Sequence, residues 1–127
     1  MSFSTIVSNN APAPVGPYSQ AVEANGFVYC SGQIPLDAKS GELVTGDIQA
    51  QTKKVMENIG EVLKAAQLSY KNIIKSAIFI TDMNDFAKVN EIYAEYFPEN
   101  PPARSCVEVS KLPKNVNVEI EVIAFRG

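Results

Sequence analysis

Residues 101–109 contain the residue types and spacing best suited to binding chemistry. They are predicted to form a β-strand, in which alternate side chains share a face, so Arg104, Cys106 and Glu108 should lie together. The guanidinium is always charged and presents a planar fork of donors that fits a carboxylate or a phosphate. The strand therefore predicts an anion-binding site, and a surface salt bridge is the alternative role of this arginine. The opposite face carries small or apolar side chains that we expect to lie against the core: Ser105, Val107 and Val109.

Two further carboxylates, Glu119 and Glu121, share one face of the last predicted strand. A glycosidase pair receives little support from this spacing, and a solvated charged face is the simpler interpretation. A single glutamate opposite Arg104 is a different case, because it could hold a water molecule over an anion that the arginine binds.

Three further places in the sequence hold candidate residues: Tyr18, the Ser31-Gly32 pair and Asn90. Tyr18 follows a stiff Gly-Pro pair and could either cover the core or border a ligand. Gly32 follows Ser31 at the end of a predicted strand, where it could form an ordinary turn or present a bare backbone N–H to a ligand oxygen. Asn90 lies beside the apolar stripe of a predicted helix, where an amide often caps or satisfies nearby groups.

The chain contains no histidine, which removes the commonest general base and the commonest transition-metal ligand. Zinc-dependent hydrolysis and Ser–His or Cys–His nucleophiles are therefore disfavoured. Cys106 has no activating histidine, although Arg104 should favour its thiolate somewhat. We expect Cys106 to be a polarisable pocket wall or a proton donor rather than a nucleophile. Cys30 is expected to be a reduced, partly buried thiol.

Length and composition predict one domain over residues 1–127. The net charge of −3 argues against a protein that neutralises many nucleic-acid phosphates. No apolar run is long enough to span a bilayer, and residues 1–11 lack the pattern of a secretory signal. Two cysteines are too few for a disulfide framework. These features predict a cytoplasmic protein.

Local patterns in the first half of the chain predict a hairpin and a helix. Asn25-Gly26 predicts a β-hairpin over residues 19–31, after a stiff loop rich in proline. Apolar spacing predicts a helix over about residues 48–67, capped by Asp47. Gly60 lies inside that helix, where we expect it to allow close packing on a sheet.

The second half predicts strands on either side of another helix. β-branched residues predict a central strand over 73–81, and an amphipathic helix follows whose apolar stripe reaches Phe97 before a run of prolines. The Arg104 strand and a long alternating strand over 116–125 complete the chain. The order of elements predicts an α+β domain with two helices over one face of a mixed sheet.

Several segments together resemble the RidA/YjgF family of small enamine/imine deaminases, over essentially the whole chain. The most specific are Pro-Ala-Arg-Ser-Cys-Val-Glu-Val at 102–109 and Val-Glu-Ile-Glu at 118–121. The other matching segments are Ala11-Pro12, Gly16-Pro17-Tyr18-Ser19-Gln20, Ser31-Gly32-Gln33-Ile34-Pro35, Asp85-Phe86-Ala87-Lys88-Val89-Asn90 and Leu112-Pro113.

The resemblance implies a chorismate-mutase-like α+β fold and a homotrimer, in which the sheets of three protomers form a central barrel with the helices outside. Three equivalent clefts then lie between neighbouring subunits. The apolar Ile123 and Phe125 of the last strand would fit a buried subunit interface.

The resemblance also implies a role for each candidate residue. Arg104 corresponds to the arginine that grips the substrate carboxylate, Glu119 to the glutamate that positions water, and Tyr18 to a tyrosine at the mouth of the pocket. Cys106 corresponds to the pocket cysteine. The remaining substrate-binding positions are Gly32, whose backbone N–H helps to hold the ligand, its neighbour Ser31, and Asn90.

The implied activity is hydrolytic deamination of 2-aminoacrylate and 2-aminocrotonate, with their imine tautomers 2-iminopropanoate and 2-iminobutanoate, to 2-oxo acids and ammonia. These short-lived acids come from pyridoxal-phosphate dehydratases acting on serine or threonine, and no metal or organic cofactor is expected. A rival of a different class is a small-carboxylate binding or regulatory module, for a ligand such as 2-oxobutyrate, without turnover. Ribonuclease activity is the least supported alternative, and no nucleic acid or membrane is expected as a partner.

Overall fold

Within residues 2–127, which the computed structural model describes, six strands and two α-helices position the candidate residues. The strands are β1 (Ser4–Ile6), β2 (Ala21–Ala24), β3 (Phe27–Gln33), β4 (Ile73–Ile80), β5 (Ala103–Glu108) and β6 (Val118–Phe125). The helices are α1 (Ile48–Ala65) and α2 (Phe86–Ala94). The predicted α+β class with two helices and a mixed sheet is confirmed. None of the helices formed by these residues is long and apolar enough to cross a membrane.

The strands form one sheet in the order β1-β2-β3-β6-β4-β5. Neighbouring strands are antiparallel, except for β4 and β5, which are parallel. The parallel pair follows from the chain order, because α2 lies between these strands and provides the crossover that parallel strands need. The final strand, β6, lies between β3 and β4, so both halves of the chain contribute to the centre of the sheet.

The predicted hairpin is confirmed as β2 and β3. Both turn residues have positive φ, 52° at Asn25 and 81° at Gly26, as a two-residue hairpin turn of this handedness requires. The sequence pattern did not predict β1, because three residues at a sheet edge are too few to show an alternation.

The helix α1 begins where the sequence predicted. The side chain of Asp47 accepts a hydrogen bond from the backbone N–H of Gln49 at 3.0 Å. The helix ends at Ala65, two residues before the predicted end, and Gln67 then takes a positive φ of 63°. This left-handed residue turns the chain away from the helix axis.

Gly60 does allow a close approach, but its partner differs from the prediction. A Cβ atom at this position would overlap the hydroxyl of Tyr70, which follows the helix, rather than the sheet. That hydroxyl donates a hydrogen bond of 2.7 Å to the backbone carbonyl of Met56. The glycine therefore admits a tyrosine that ties the connection after α1 back onto the helix.

The second helix, α2, is shorter than its apolar stripe. The helix ends at Ala94, while Tyr96 and Phe97 continue as a tight turn whose backbone N–H groups donate to carbonyls three residues earlier. The two aromatic side chains remain partly buried against the core. The stripe therefore predicts the packing correctly, but it overstates the length of the α-helix.

Both helices lie on one side of the sheet, which we call the covered face. On β6 the covered face carries Val118, Ile120, Val122 and Ala124, each at most 2% exposed. The other side, which we call the open face, carries the alternate residues of the same strand, which are half-buried or exposed. The hydrophobic core therefore lies between the helices and the covered face.

The prediction for the faces of β5 is wrong. The register pairs Arg104 with Ser76 and Cys106 with Ile78, and both partners on β4 are buried beneath the helices. The arginine and the cysteine therefore lie on the covered face. The small or apolar side chains that were expected in the core lie on the open face, where Ser105 and Val107 are exposed.

Candidate functional site

Arg104 is held by three residues of α2, which we call the arginine clamp. Its guanidinium carbon lies 5.5 Å from the centre of the Phe86 ring and 5.3 Å from that of Tyr93. Its Nη1 donates a hydrogen bond of 2.6 Å to the side-chain oxygen of Asn90. Both rings are within the range of a cation–π interaction. The clamp therefore fixes the plane and the direction of a guanidinium that is half-buried.

The surface salt bridge considered for Arg104 is not formed with any carboxylate of residues 2–127. Among the same residues, Asn90 is its side-chain hydrogen-bond partner. A guanidinium has five N–H donors, so most of the fork remains available for an anion. The predicted anion-binding role is the one that this geometry favours.

A buried hydrogen bond positions one side of the clamp. The hydroxyl of Tyr93 donates to Ser76 Oγ at 2.9 Å, and Ser76 is fully buried beside Arg104 on the neighbouring strand. Burial raises the pKa of Tyr93, so its hydroxyl stays protonated at neutral pH. Sequence reasoning assigned Phe86 and Tyr93 only to the apolar stripe of the helix. Their contact with Arg104 follows from the register of β4 and β5, which the sequence pattern does not contain.

The two cysteines differ in burial but share a protonated state. Burial raises the pKa of the Cys30 thiol to about 12. Burial also raises the pKa of Cys106, and this effect outweighs the nearby Arg104 charge, which acts in the opposite direction. A thiol is a poor nucleophile but can donate a proton. The role of Cys106 as a pocket wall or proton donor stays a prediction, and Cys30 is a buried free thiol.

Gly32 and Glu119 form the second part of the candidate site. The register between β3 and β6 shifts between Cys30 and Gln33, which places Ser31 and Gly32 in a bulge. The Glu119 carboxylate lies directly against Gly32, where any Cβ atom would overlap it. Bulges often redirect the chain next to functional sites, and this one makes room for a carboxylate.

The environment of Glu119 makes its carboxyl a stronger base than usual. Burial raises the pKa of Glu119 above its ordinary value of 4.5, and the neighbouring charge of Glu121 adds to the shift. Glu121 itself is exposed. A carboxylate with a raised pKa is better suited to taking a proton from water near neutral pH. The two glutamates therefore differ in burial, since Glu119 is partly buried and Glu121 is exposed.

The loop that carries Tyr18 is attached to the bulge. The Ser31 hydroxyl donates a hydrogen bond of 2.6 Å to the Ser19 carbonyl, and the Ser31 N–H donates to the Gln20 carbonyl at 2.9 Å. Tyr18 is 50% exposed, and its hydroxyl accepts a bond from the Val15 N–H at 3.4 Å. Tyr18 therefore does not cover the core of this chain.

Gln20 pins the same loop from below, a role that sequence reasoning missed. Its side-chain amide is buried and exchanges two hydrogen bonds with the backbone of Ser8, at 2.6 and 3.1 Å. It also donates to the carbonyls of Ala11 and Pro12. A polar glutamine at the start of an alternating strand is the one signal that could have indicated this role.

The candidate residues form two groups on opposite faces of the sheet. Arg104 pairs with Ser76 on the covered face, whereas Glu119 pairs with Phe79, three residues further along β4 and so on the open face. Asn90 and Cys106 belong to the first group. The chain therefore does not bring its own arginine and glutamate together.

Chemically, the first group can bind a carboxylate or another flat anion, and the second can hold and activate water. Within the described part of the chain, no three His, Cys, Asp or Glu side chains lie close enough together to hold a metal ion. Fold and site thus define a small α+β protein with an oriented, half-buried arginine on one face of its sheet and a partly buried glutamate on the other.

Comparison with known sequences gives the family. The sequence model of the family described as Endoribonuclease L-PSP matches residues 8–126. The chain belongs to this family, also called RidA/YjgF, as the motifs around Arg104 and Glu119 predicted.

Two relatives and one structure show how close the similarity is. A RutC family protein of Pyrococcus horikoshii is 56% identical over 121 residues, which are 95% of this chain and 96% of that protein. The 2-iminobutanoate/2-iminopropanoate deaminase of mouse is 47% identical over 96% of this chain and 90% of its own length. The crystal structure of Escherichia coli TdcF with bound serine is 44% identical, with a TM-score of 0.93 over 98% of this chain and 99% of that one.

Proposed function

We propose that this protein hydrolyses reactive enamine and imine acids to 2-oxo acids and ammonia. The observation that carries the proposal is the arginine clamp, which holds a flat cationic fork ready for a small carboxylate. Mouse, human and rat relatives at 45–47% identity bear the name of this deaminase activity. The substrates are 2-iminopropanoate and 2-iminobutanoate with their enamine tautomers.

In the proposed reaction, Arg104 binds the substrate carboxylate and the Gly32 N–H donates to it. Cys106 or Tyr18 supplies the proton that converts the enamine carbon into the imine form. Glu119 takes a proton from water as the water oxygen bonds to the imine carbon, and the C–N electron pair moves to nitrogen. Glu119 then returns its proton to the nitrogen of the carbinolamine. As the carbon–nitrogen bond breaks, its electron pair leaves with ammonia, the hydroxyl oxygen forms the C=O bond, and the hydroxyl proton passes back to the group that protonated the enamine or to solvent. The net change is imine plus water to 2-oxo acid plus ammonia, with no oxidation or reduction.

We further propose that the site is completed between copies of the chain in a homotrimer. Arg104 and Glu119 lie on opposite faces of one sheet, so a neighbouring copy is the simplest source of the missing half. The open face also exposes apolar side chains, with Tyr29 and Val107 each 45% exposed. Exposed apolar area of this kind is typical of a surface that another chain covers. Three copies would then form three equivalent sites.

A coupled assay tests the activity. The purified protein is added to a serine or threonine dehydratase, and the rate of 2-oxo acid formation is measured with and without it. Arg104→Ala should abolish the acceleration. Arg126→Ala is the matched control, because that arginine lies in an exposed ion pair with Glu23 at the other end of the sheet and should leave the rate unchanged. Absence of acceleration by the wild-type protein with either dehydratase would contradict the proposal.

A second candidate function is a binding or regulatory module for a small acid, without turnover. The TdcF structure contains bound serine, which favours a family site that can hold a small amino or oxo acid. Glu119→Gln separates the two functions. For both functions, the variant should still bind 2-oxobutanoate in calorimetry. If the protein is a deaminase, the wild type should show turnover in the coupled assay and the variant should lose it, whereas a binding module should show no turnover in either form.

A further inference from the structure

Glu108 is the third side chain that β5 places on the covered face, and it has no role in the reaction described above. Its strand partner is Ile80, which is fully buried, so Glu108 follows Arg104 and Cys106 along the same face. The glutamate lies at the end of the strand and is exposed. The sequence pattern grouped it with the arginine and the cysteine and gave it no separate role.

The Glu108 carboxylate is bonded to the start of the helical segment that carries the arginine clamp. Its Oε1 accepts a hydrogen bond of 2.7 Å from the backbone N–H of Met83. This residue begins a single 3₁₀ turn, Met83–Asp85, which runs directly into α2 at Phe86. The first N–H groups of a helical segment have no partner within the helix, so a carboxylate that accepts from one of them forms a charge-assisted bond.

A second bond holds the other end of the same segment, where Tyr93 donates to Ser76 of β4. Met83 and Tyr93 are ten residues apart in the helical segment. At the rise of a helix this corresponds to about 15 Å. On the sheet, Ser76 is level with Arg104, which lies four residues before Glu108. At the rise of a strand this corresponds to about 13 Å. The two spacings agree, so the helical segment lies along the strands and is attached to them at both ends.

We infer that Glu108 is a positioning residue for Arg104. The inference rests on the proposed function and adds a residue that acts through α2 and not on the substrate. Phe86 and Asn90 lie between the two attachments, and both contact the guanidinium. Without the bond to Met83, this end of the helix is free to shift along the strand, and the ring and the amide lose their alignment with the guanidinium plane. The fork that binds the carboxylate is then less well oriented.

Steady-state kinetics in the dehydratase-coupled assay give the first test. Glu108→Ala should raise KM about fivefold or more with a smaller change in kcat, because Arg104 remains but is no longer held in one orientation. Glu108→Gln keeps an oxygen that accepts from the Met83 N–H, so its KM should stay within about twofold of that of the wild type. Since Glu108 is exposed, neither substitution opens a cavity in the core.

Glu23→Ala is the matched control for these variants. It also removes a carboxylate that is bonded in the fold, in this case to Arg126. Glu23 belongs to β2, on the other side of the sheet centre from β5. This variant should leave KM unchanged.

A spectroscopic readout follows Arg104 without turnover. The chain contains two arginines, Arg104 and Arg126, so NMR of isotope-labelled guanidinium groups can follow each one. In the wild-type protein, the clamp should slow the rotation of the Arg104 guanidinium, and the neighbouring rings should shift its Nε–H signal. Glu108→Ala should move that signal and speed the rotation several-fold, and Glu108→Gln should restore both. The Arg126 signals should stay unchanged.

The outcomes separate the two claims. Wild-type KM and wild-type Arg104 signals in Glu108→Ala, or a Glu108→Gln variant as impaired as Glu108→Ala, overturn the positioning role and leave the proposed function intact. An equal rise of KM in Glu23→Ala also overturns it, because the effect then comes from lost stability. If the wild type gives no turnover with either dehydratase, the proposed function fails. In that case a change of the Arg104 signals that Glu108→Gln restores supports the positioning role, and unchanged signals overturn it.

Discussion

The two faces of the sheet hold their candidate side chains in different ways. On the covered face, Arg104 is fixed by two rings, an asparagine and a buried serine behind one ring. On the open face, Glu119 is fixed by its contact with a glycine in a strand bulge and by partial burial. The Arg104 guanidinium is thus held by side chains of α2, whereas the Glu119 carboxylate is held against the backbone of a strand bulge.

In the proposed trimer, each sheet would contribute a different half to two separate sites. The covered face needs only this chain to build its half, since the helix and the strand are joined by the crossover between β4 and β5. Neither helix of residues 2–127 lies over the open face, so in the proposed trimer the neighbouring copy would complete that half. The following predictions test that contrast, beginning with the largest expected effect.

Mixing two inactive variants should restore activity if the halves come from different copies. Arg104→Ala and Glu119→Gln should each lower kcat/KM by about a hundredfold or more, because each removes a group that acts on the transition state. A trimer co-assembled from equal amounts of both should regain about a quarter of the wild-type rate by random assortment of neighbours. The dehydratase-coupled rate of the co-expressed, doubly tagged protein provides the measurement. A mixture as inactive as its components would show that the two groups do not act in a shared site.

Adding one carbon at Gly32 should disturb the open face strongly. A Cβ atom there overlaps the Glu119 carboxylate, so Gly32→Ala should lower kcat/KM by about tenfold or more and destabilise the fold by about 1–3 kcal/mol. Urea denaturation and the coupled assay measure the two effects.

A double-mutant cycle supplies the control for that glycine. In a Glu119→Ala background the overlapping carboxylate is absent, so Gly32→Ala should cost markedly less stability. An equal cost in both backgrounds would mean that the strain arises from the backbone and not from the glutamate.

On the covered face, Tyr93 should act by positioning Arg104. Tyr93→Leu removes the ring beside the guanidinium and should raise KM several-fold to about tenfold, with a smaller change in kcat. Tyr93→Phe keeps the ring and loses only the bond to Ser76, so its KM should stay closer to that of the wild type. Steady-state kinetics on the coupled assay distinguish the two. Equal KM values for both variants would assign the effect to the hydroxyl instead.

The smallest effects should appear in the pH dependence of Glu119. Its folded-state pKa lies above the usual 4.5, so activity should fall as pH drops through that raised value. A raised carboxyl pKa also means that the ionised form disfavours folding at neutral pH, and this penalty disappears as pH falls below the unfolded value. Glu119→Gln should therefore raise Tm slightly at pH 7–8, and the gain should vanish near pH 4. Thermal melts at both pH values test this, and a gain that grows on acidification would contradict the assigned burial.

The sequence predicted most elements because each has a strong local signal. Asn25-Gly26 specified the hairpin, and Asp47 specified the start of α1. The sequence did not predict features that depend on contacts between separate elements. The alternation of β5 distinguishes two faces but does not indicate which face the helices cover. The apolar Val107 led to the wrong prediction, because it lies on the open face and is exposed.

The sequence named the candidate residues, whose functional roles stay predictions, but it did not contain their arrangement. The family motifs gave Arg104, Glu119 and Gly32, which the structure places on identifiable supports. The support given by Tyr93 and Ser76 depends on the register between β4 and β5, and a sequence pattern does not contain that register. The separation of Arg104 from Glu119 depends on that register and also on the register between β4 and β6.

The hydrogen bonds that attach the Tyr18 loop to the bulge have a consequence for the kinetics of binding. Ser31 and Gln20 hold the loop in place in the free protein, and prolines restrict its backbone further. The loop is therefore already ordered before a ligand binds next to Tyr18 and Gly32. Binding then costs little conformational entropy in this segment and needs no slow rearrangement. Association rates for small acids should then depend on diffusion and charge. Replacing Gln20 should lower the association rate constant more than it raises the dissociation rate constant.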